Sequence, residues 1–204
     1  MKVNILLLNG CPRSGKDTVA KIAKKLLEGK TTTTILKFTG LMDDVARLVL
    51  NLNRGEYHEW REARKDEKLM HYDTVMRKFL ISMSEDWLKP HLGSGIMGYH
   101  AALKVIDHTE KHWSHSDSDL LFIFSDCGFQ EEFGYFKNTL DLTPTPDGVE
   151  FNVQLAQVHR DGCTFDNDSR EWVTDGGDEV RIDNNSSIEY LQDLVVPSLI
   201  KEML

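Results

Sequence analysis

Residues 3 to 27 read VNILLLNGCPRSGKDTVAKIAKKLL. Val3 to Leu8 is apolar apart from Asn4 and predicts a strand buried on both faces, whereas Val19, Ile22, Ala23, Leu26 and Leu27 recur at helical spacing. The turn between them therefore spans Asn9 to Lys16. Gly10 and Gly15 stand five apart, with Lys16 directly after. Such a turn lets backbone N–H groups wrap a phosphate chain, and the helix N-terminus adds its partial positive charge. Lys16 is placed to reach the terminal phosphates. The pattern GxxxxGK[ST] has a hydroxyl after the lysine, where this chain has Asp17 followed by Thr18. Asp17 is then expected to take Mg²⁺ itself, directly or through water, and Thr18 to hydrogen-bond a phosphate oxygen. The nucleotide-binding set is Gly10, Arg13, Ser14, Gly15, Lys16, Asp17 and Thr18.

At 204 residues with 40% hydrophobic residues and no Pro/Gly/Ser-rich linker, the chain predicts one domain with a sizeable core. The net charge of −9 argues against a broad attraction to nucleic acid or an anionic membrane, so small phosphorylated ligands are the expected partners. It leaves open a local basic cleft and a homodimer. No apolar run approaches the ~18 residues of a membrane span, and Met1 to Leu8, short and closely followed by the glycine turn, is not expected to act as a signal peptide. A cytoplasmic location is expected. Cys11, Cys127 and Cys163 share no metal-ligand spacing and read as reduced thiols.

After the first helix, Thr31 to Phe38 is rich in β-branched residues and predicts a second strand. From residue 40 to about 113 the periodicity is helical, carried by Leu41 to Leu52, Val75 to Trp87 and Met97 to His112. Such an enlarged crossover between two parallel strands suits a substrate-binding lobe. Within it, Arg54, Arg61, Arg64, Lys65 and Lys68 alternate with glutamates and read as a solvated face or mobile loop. Arg77, Lys78, Trp87 and Lys89 lie on or just beyond an apolar helix and are the candidate substrate contacts. A guanidinium can hold a phosphate with two hydrogen bonds, and a tryptophan can cover a base or fill the core.

Leu120 to Ser125 predicts a third strand ending at Asp126. Ligands of open α/β sheets sit beyond the carboxyl ends of the strands, so Asp126 is expected in the same crevice as the phosphate loop, holding Mg²⁺ or its water. The competing reading is an N-cap for the helix Gln130 to Leu140. Glu131 and Glu132 read as charges favoured by that helix's dipole. Val153 to Val158 predicts a fourth strand, followed by a polar run with His159, Arg160, Asp161, Asp166, Asp168 and Arg170. Its placement suggests a lid over about 159–175, whose arginines neutralise charge during transfer. Glu179 to Ile182 is a short fifth strand. Ser186 or Ser187 caps a last helix, Ile188 to Leu204, that Pro197 should bend.

Alternating strands and helices with a phosphate loop after the first strand predict a doubly wound, five-stranded parallel sheet. The segments GCPRSGKDT, SDCGFQEE, QVHR with its polar run, and IDNNSSIEYLQDLV resemble bacteriophage deoxynucleoside monophosphate kinases, relatives of the adenylate kinase-like P-loop kinases. MRKFLISMSEDWLKP and the glycines after it are similar to the same group. The resemblance covers most of the chain. It implies a P-loop kinase three-layer sandwich with a helical NMP-binding insertion and lid, located in the host cytoplasm. It also implies transfer of the terminal phosphate of ATP, with Mg²⁺, to a deoxynucleoside monophosphate. Lys16, Asp17, Asp126, Arg160 and Arg170 are then the catalytic set, and Asp17 and Asp126 the metal residues. Many related members carry an arginine two places after the strand-ending acid; here that place is Gly128. Two alternatives remain: a kinase acting on a hydroxymethylated base in phage DNA, and a nonenzymatic nucleotide switch.

Overall fold

The computed structural model describes residues 1–69, 71–113, 115, 118–145, 148–166 and 168–203. Five strands form one all-parallel sheet: β1 (Lys2–Asn9), β2 (Thr32–Leu36), β3 (Leu120–Cys127), β4 (Glu150–His159) and β5 (Val180–Asp183), in the order β2-β3-β1-β4-β5. Every β1 residue from Val3 to Asn9 is buried, as the continuous apolar run predicts for a strand covered on both faces. Its odd-numbered side chains, Val3, Ile5 and Leu7, join Phe122 and Phe124 in one core, whereas Leu6 and Leu8 join Leu121, Ile123 and Ala156 in the other. The result is a three-layer α/β sandwich with an all-parallel sheet, as the alternation of strands and helices predicts.

The first layer holds α1 (Lys16–Leu26) and the C-terminal helix, which pack against Leu6, Leu8 and Ala156. The opposite layer holds the helices between β2 and β3 and the one after β3: α2 (Gly40–Val49), α3 (Arg54–Glu62), α4 (Met76–Ser82), α5 (Lys89–Leu92), α6 (Ile96–Trp113) and α7 (Gln130–Leu142). Phe38, Phe124 and Phe136 meet there with ring centroids 5.2 to 5.4 Å apart, tying the end of β2 to β3 and α7. The charged stretch read as a face or loop contains α3. Asn53 and Glu56 start it with a reciprocal capping box, and Tyr57 and Trp60 bury its inner side.

β4 runs longer than its apolar centre because β1 pairs with it from Lys2↔Glu150 to Asn9↔Gln157, so the ladder carries the polar ends. Two prolines explain irregular helix. Pro90 and Pro197 each follow a wide π-helical turn, Met83–Leu88 and Leu191–Val195. Proline lacks the N–H of the regular ladder and its ring crowds the carbonyl four residues back, so widening the preceding turn lets the helix continue. The expected bend at Pro197 is therefore absorbed as a π turn between α8 (Ile188–Tyr190) and α9 (Val196–Met203). Ser187 caps this helix, its hydroxyl accepting from Tyr190 N at 3.3 Å. Leu204, its expected last residue, lies outside the described residues. Among the described residues no helix is long and apolar enough to cross a membrane.

Candidate functional site

The turn between β1 and α1 can take its shape only with glycine at two places. A Cβ on Gly10 would stand 2.5 Å from the Val158 carbonyl oxygen and 2.7 Å from Ser14 Oγ. Gly15 has φ +102° and abuts the amide of Asn184, which donates to the Ser14 carbonyl at 2.8 Å. Asn184 follows β5 and clamps the loop from outside, a role the local sequence could not show. Inside the loop, the Ser14 hydroxyl is buried without a hydrogen-bond partner among the described residues. An orphaned donor among turning backbone amides is what a phosphate oxygen would satisfy, so the loop fits a phosphate chain. Lys16 is 7% exposed, and its ammonium donates to the carbonyls of Gly10 at 2.6 Å and Cys11 at 2.8 Å. Burial and the nearby Arg170 charge lower its pKa, while Asp17 opposes the shift.

A cavity of about 610 Å³ opens beside the loop, at the carboxyl ends of β1 and β3. Pro12, Arg13, Lys16 and Asp17 form its loop side; Lys37, Thr39, Arg61, Lys65 and Arg77 come from the region between β2 and α4. Among the described lining residues seven cations face five carboxylic acids, although the whole chain carries −9. The cleft is therefore a local basic site able to concentrate anions. Three of its arginines are held by aspartates. Arg61 bonds Asp43 at 3.0 Å, Arg77 forks onto Asp66 at 2.6 and 3.1 Å, and Arg170 forks onto Asp168 with one contact at 2.8 Å and a second at 2.5 Å.

The two expected metal acids are in different states. Asp17 Oδ1 accepts from Ser125 Oγ at 2.6 Å, leaving its second oxygen without a hydrogen bond among the described residues. Asp126 lines the same cavity, yet both its oxygens are occupied: Oδ1 by Phe38 N at 2.9 Å, Oδ2 by Thr39 N at 3.2 Å and Thr39 Oγ1 at 3.0 Å. It thus anchors the turn from β2 into α2, a partner neither of its sequence readings anticipated. α7 begins at Phe129 without a side-chain cap. Burial pushes the Asp126 carboxyl above its usual range despite these bonds.

Arg170 reaches the cavity across Gly128. The absent side chain at residue 128 is the space its stem fills, and Glu171 N donates to the Gly128 carbonyl at 2.9 Å. The segment expected as a lid is pinned along its second half. The buried Asn9 side chain donates to the carbonyls of Cys127 and Glu171, both at 3.0 Å, and accepts from Val173 N at 3.1 Å. Gln130 exchanges two bonds with Thr174, and Lys137 pairs with Asp175 at 2.7 Å. Residues 171–175 are therefore fixed to the carboxyl ends of β1 and β3 and to α7, behind the Arg170 side chain that lines the cavity.

Several sequence candidates lie elsewhere. Arg160 is exposed, donates to the Arg13 carbonyl at 3.5 Å, and is not among the cavity's described lining residues. Lys78 is exposed and also outside the lining. Trp87 is 56% exposed and stacked on His91, one helical turn on, so it is neither core nor a platform in the cavity. Lys89 sits behind the wall, bonded to Glu85 at 2.9 Å and 3.7 Å above the Phe129 ring. Thr18 is half-buried in α1, outside the lining. In their place the cavity gathers Lys37, Arg61, Lys65 and Glu132. Glu132 had a readable signal: it precedes Phe136 and Leu140 by four and eight residues, on the apolar stripe of α7.

No family model matches the sequence, and no curated protein matches it. Among solved structures the chain is similar to a gluconokinase from Sinorhizobium meliloti 1021, at 8% identity over 98% of this chain and 93% of that one, with a TM-score of 0.46. It is also similar to the APS kinase of Mycobacterium tuberculosis, at 14% identity over 97% and 96% of the two chains, with a TM-score of 0.44.

Proposed function

We propose that the protein transfers the terminal phosphate of ATP to a deoxynucleoside monophosphate. The observation that carries this reading is the continuity of the cavity. It begins at the phosphate loop, with Arg13, Lys16 and Asp17, and extends to Lys37, Arg61, Lys65 and Arg77, so two phosphorylated ligands can lie end to end. Phosphoryl transfer asks the protein mainly for positioning and charge neutralisation.

In this reading the loop from Gly10 to Thr18 wraps the ATP phosphates and Ser14 Oγ donates to them. Lys16 exchanges its bonds to Gly10 and Cys11 for the migrating phosphoryl oxygens. Arg170, aligned by Asp168 and supported on Gly128, neutralises charge at the transfer point from the opposite side. Arg61 is half-buried and braced by Asp43, so it is a fixed acceptor-phosphate contact, whereas Arg77 and Lys65 are exposed and adjustable. Asp17 is the residue that would hold Mg²⁺, directly or through water, and the ion would supply further shielding of the phosphates. Asp126 contributes by fixing the Phe38–Thr39 turn from which Lys37 and Thr39 face the cavity.

The test is ADP release with ATP and Mg²⁺, screened over all common and modified deoxynucleoside monophosphates and a duplex containing hydroxymethylated bases. Turnover with one or more free monophosphates is expected. Activity on the duplex alone, or nucleotide binding without turnover, would overturn the reading.

A further inference from the structure

One part of the cavity wall carries Met42, Ser84, Met97, Phe129 and Glu132. Glu132 is the buried acid of this wall, and its ion pair with Lys89 is a long one. Its side chain is 6% exposed, and its nearest cation, Lys89, stands 3.6 Å away, beyond ordinary hydrogen-bond range. Lys89 is also engaged by Glu85 at 2.9 Å and lies over one face of Phe129 at 3.7 Å. A buried carboxyl with so weak a partner costs stability and is expected where it serves a ligand. Its place is firmly built. Gly98 lets α6 approach the backbone of Glu132 more closely than any side chain would permit, which brings Met97 to the same wall.

An aromatic ring and two methionines suit a planar heteroaromatic ring, and a carboxyl beside them can bond that ring's edge. We propose that Glu132 reads the base of the acceptor nucleotide, its carboxylate receiving two adjacent N–H donors such as those on the guanine edge. This rests on the reading of the protein as a nucleotide kinase. Ionised, Glu132 offers two acceptors, which match guanine's ring N–H and amino group. Protonated, it offers one donor and one acceptor, which match adenine or cytosine. Burial pushes its pKa up to about 7, Lys89 opposes the rise, and Asp126 and Glu85 add to it. Base preference therefore changes with pH near neutrality.

The experiment measures binding of dGMP, dAMP, dCMP and dTMP by calorimetry at pH 6 and pH 8, to the wild type and Glu132→Gln, with ADP release followed separately. Comparing bases at one pH cancels the ionisation of the phosphate they share. At pH 8 the wild type should favour dGMP by about tenfold or more, the worth of one good bidentate pair. That preference should shrink at pH 6 and vanish in Glu132→Gln, whose ratios should not depend on pH. The pH dependence of the wild type alone carries the inference if the variant folds poorly. Equal weakening of all four ligands in the variant, a wild-type preference constant with pH, or no binding of any monophosphate would each overturn it. Base-selective, Glu132-dependent binding without ADP release would uphold this assignment and remove the kinase reading. Turnover with Glu132-independent selectivity would do the reverse.

Discussion

Arg170 occupies the space that a side chain at residue 128 would need: a Cβ on Gly128 would stand 2.6 Å from Arg170 Cδ and 2.7 Å from its Cγ. Where the sequence resemblance implies an arginine two places after the strand-ending acid, the chain has Gly128, and a guanidinium enters the cavity from 42 residues downstream instead. Gly128→Ala should push the Arg170 stem out of the cavity and lower kcat about tenfold, and Arg170→Ala should lower it on the order of 10²-fold or more. Steady-state kinetics on both variants check this. A Gly128→Ala enzyme with full activity would show that the arginine can act from elsewhere.

Lys16 is expected to matter more to turnover than to affinity. Its present bonds, to two carbonyls of its own loop, hold a buried cation that a phosphate would receive more favourably. Replacing it with alanine should cost on the order of 10² in kcat, the value of one preorganised donor to developing charge. ATP affinity should change less. A variant with near-normal kcat would take Lys16 out of the chemistry.

Asn9 ties residues 171 and 173 to the end of β3 through three hydrogen bonds, to Cys127, Glu171 and Val173, the first and last of them buried. Asn9→Ala leaves their partners unsatisfied and should destabilise the fold by about 1–3 kcal/mol. Amide hydrogen exchange should localise the loss to residues 171–175, with the phosphate loop unaffected. Uniform loss of protection would mean that Asn9 supports the sheet as a whole.

The strand, glycine turn and helix at residues 3–27 are legible because their signals are local: an apolar run, two glycines and a helical stripe in one stretch of 25 residues. The sheet and its parallel order follow from the alternation of such stretches. What the sequence hid depends on tertiary rotation and long-range return. Arg61 and Lys65 look like any solvated charges, since nothing in a mixed-charge helix says which side faces the phosphate loop. Trp87 reads as core or as a platform, but it lies within the π turn before Pro90, and its ring emerges at the surface. Asp126 was placed at the right end of the sheet, yet its hydrogen bonds cross to the neighbouring strand's exit, 87 and 88 residues back.

Asp126→Asn should separate anchoring from metal binding. The carboxylate accepts three bonds from Phe38 and Thr39, and an amide would turn a donor toward one of those N–H groups. A loss of about 1–3 kcal/mol, seen as a lower urea midpoint with unchanged slope, is expected. The Mg²⁺ concentration giving half-maximal activity should stay the same. A large rise in that concentration with stability unchanged would make Asp126 a metal residue instead.

Glu132 makes stability depend on pH in the direction opposite to that of a salt-bridged acid. Its pKa is about 7 in the fold against an ordinary value of 4.5, so between those values the folded state holds more protons than the unfolded state. Stability contributed by the neutral acid is therefore full below about pH 4.5 and declines as pH rises through 7. The shift corresponds to about 3 kcal/mol in total. Glu132→Gln keeps the shape of the side chain and cannot ionise, so it should lack this decline and exceed the wild type in stability at pH 8. Urea unfolding of the two proteins at pH 5, 6, 7 and 8 gives the comparison. If their stability difference is constant over that range, the carboxyl does not change its charge there, and a neutral-pH role for its protonation falls with it.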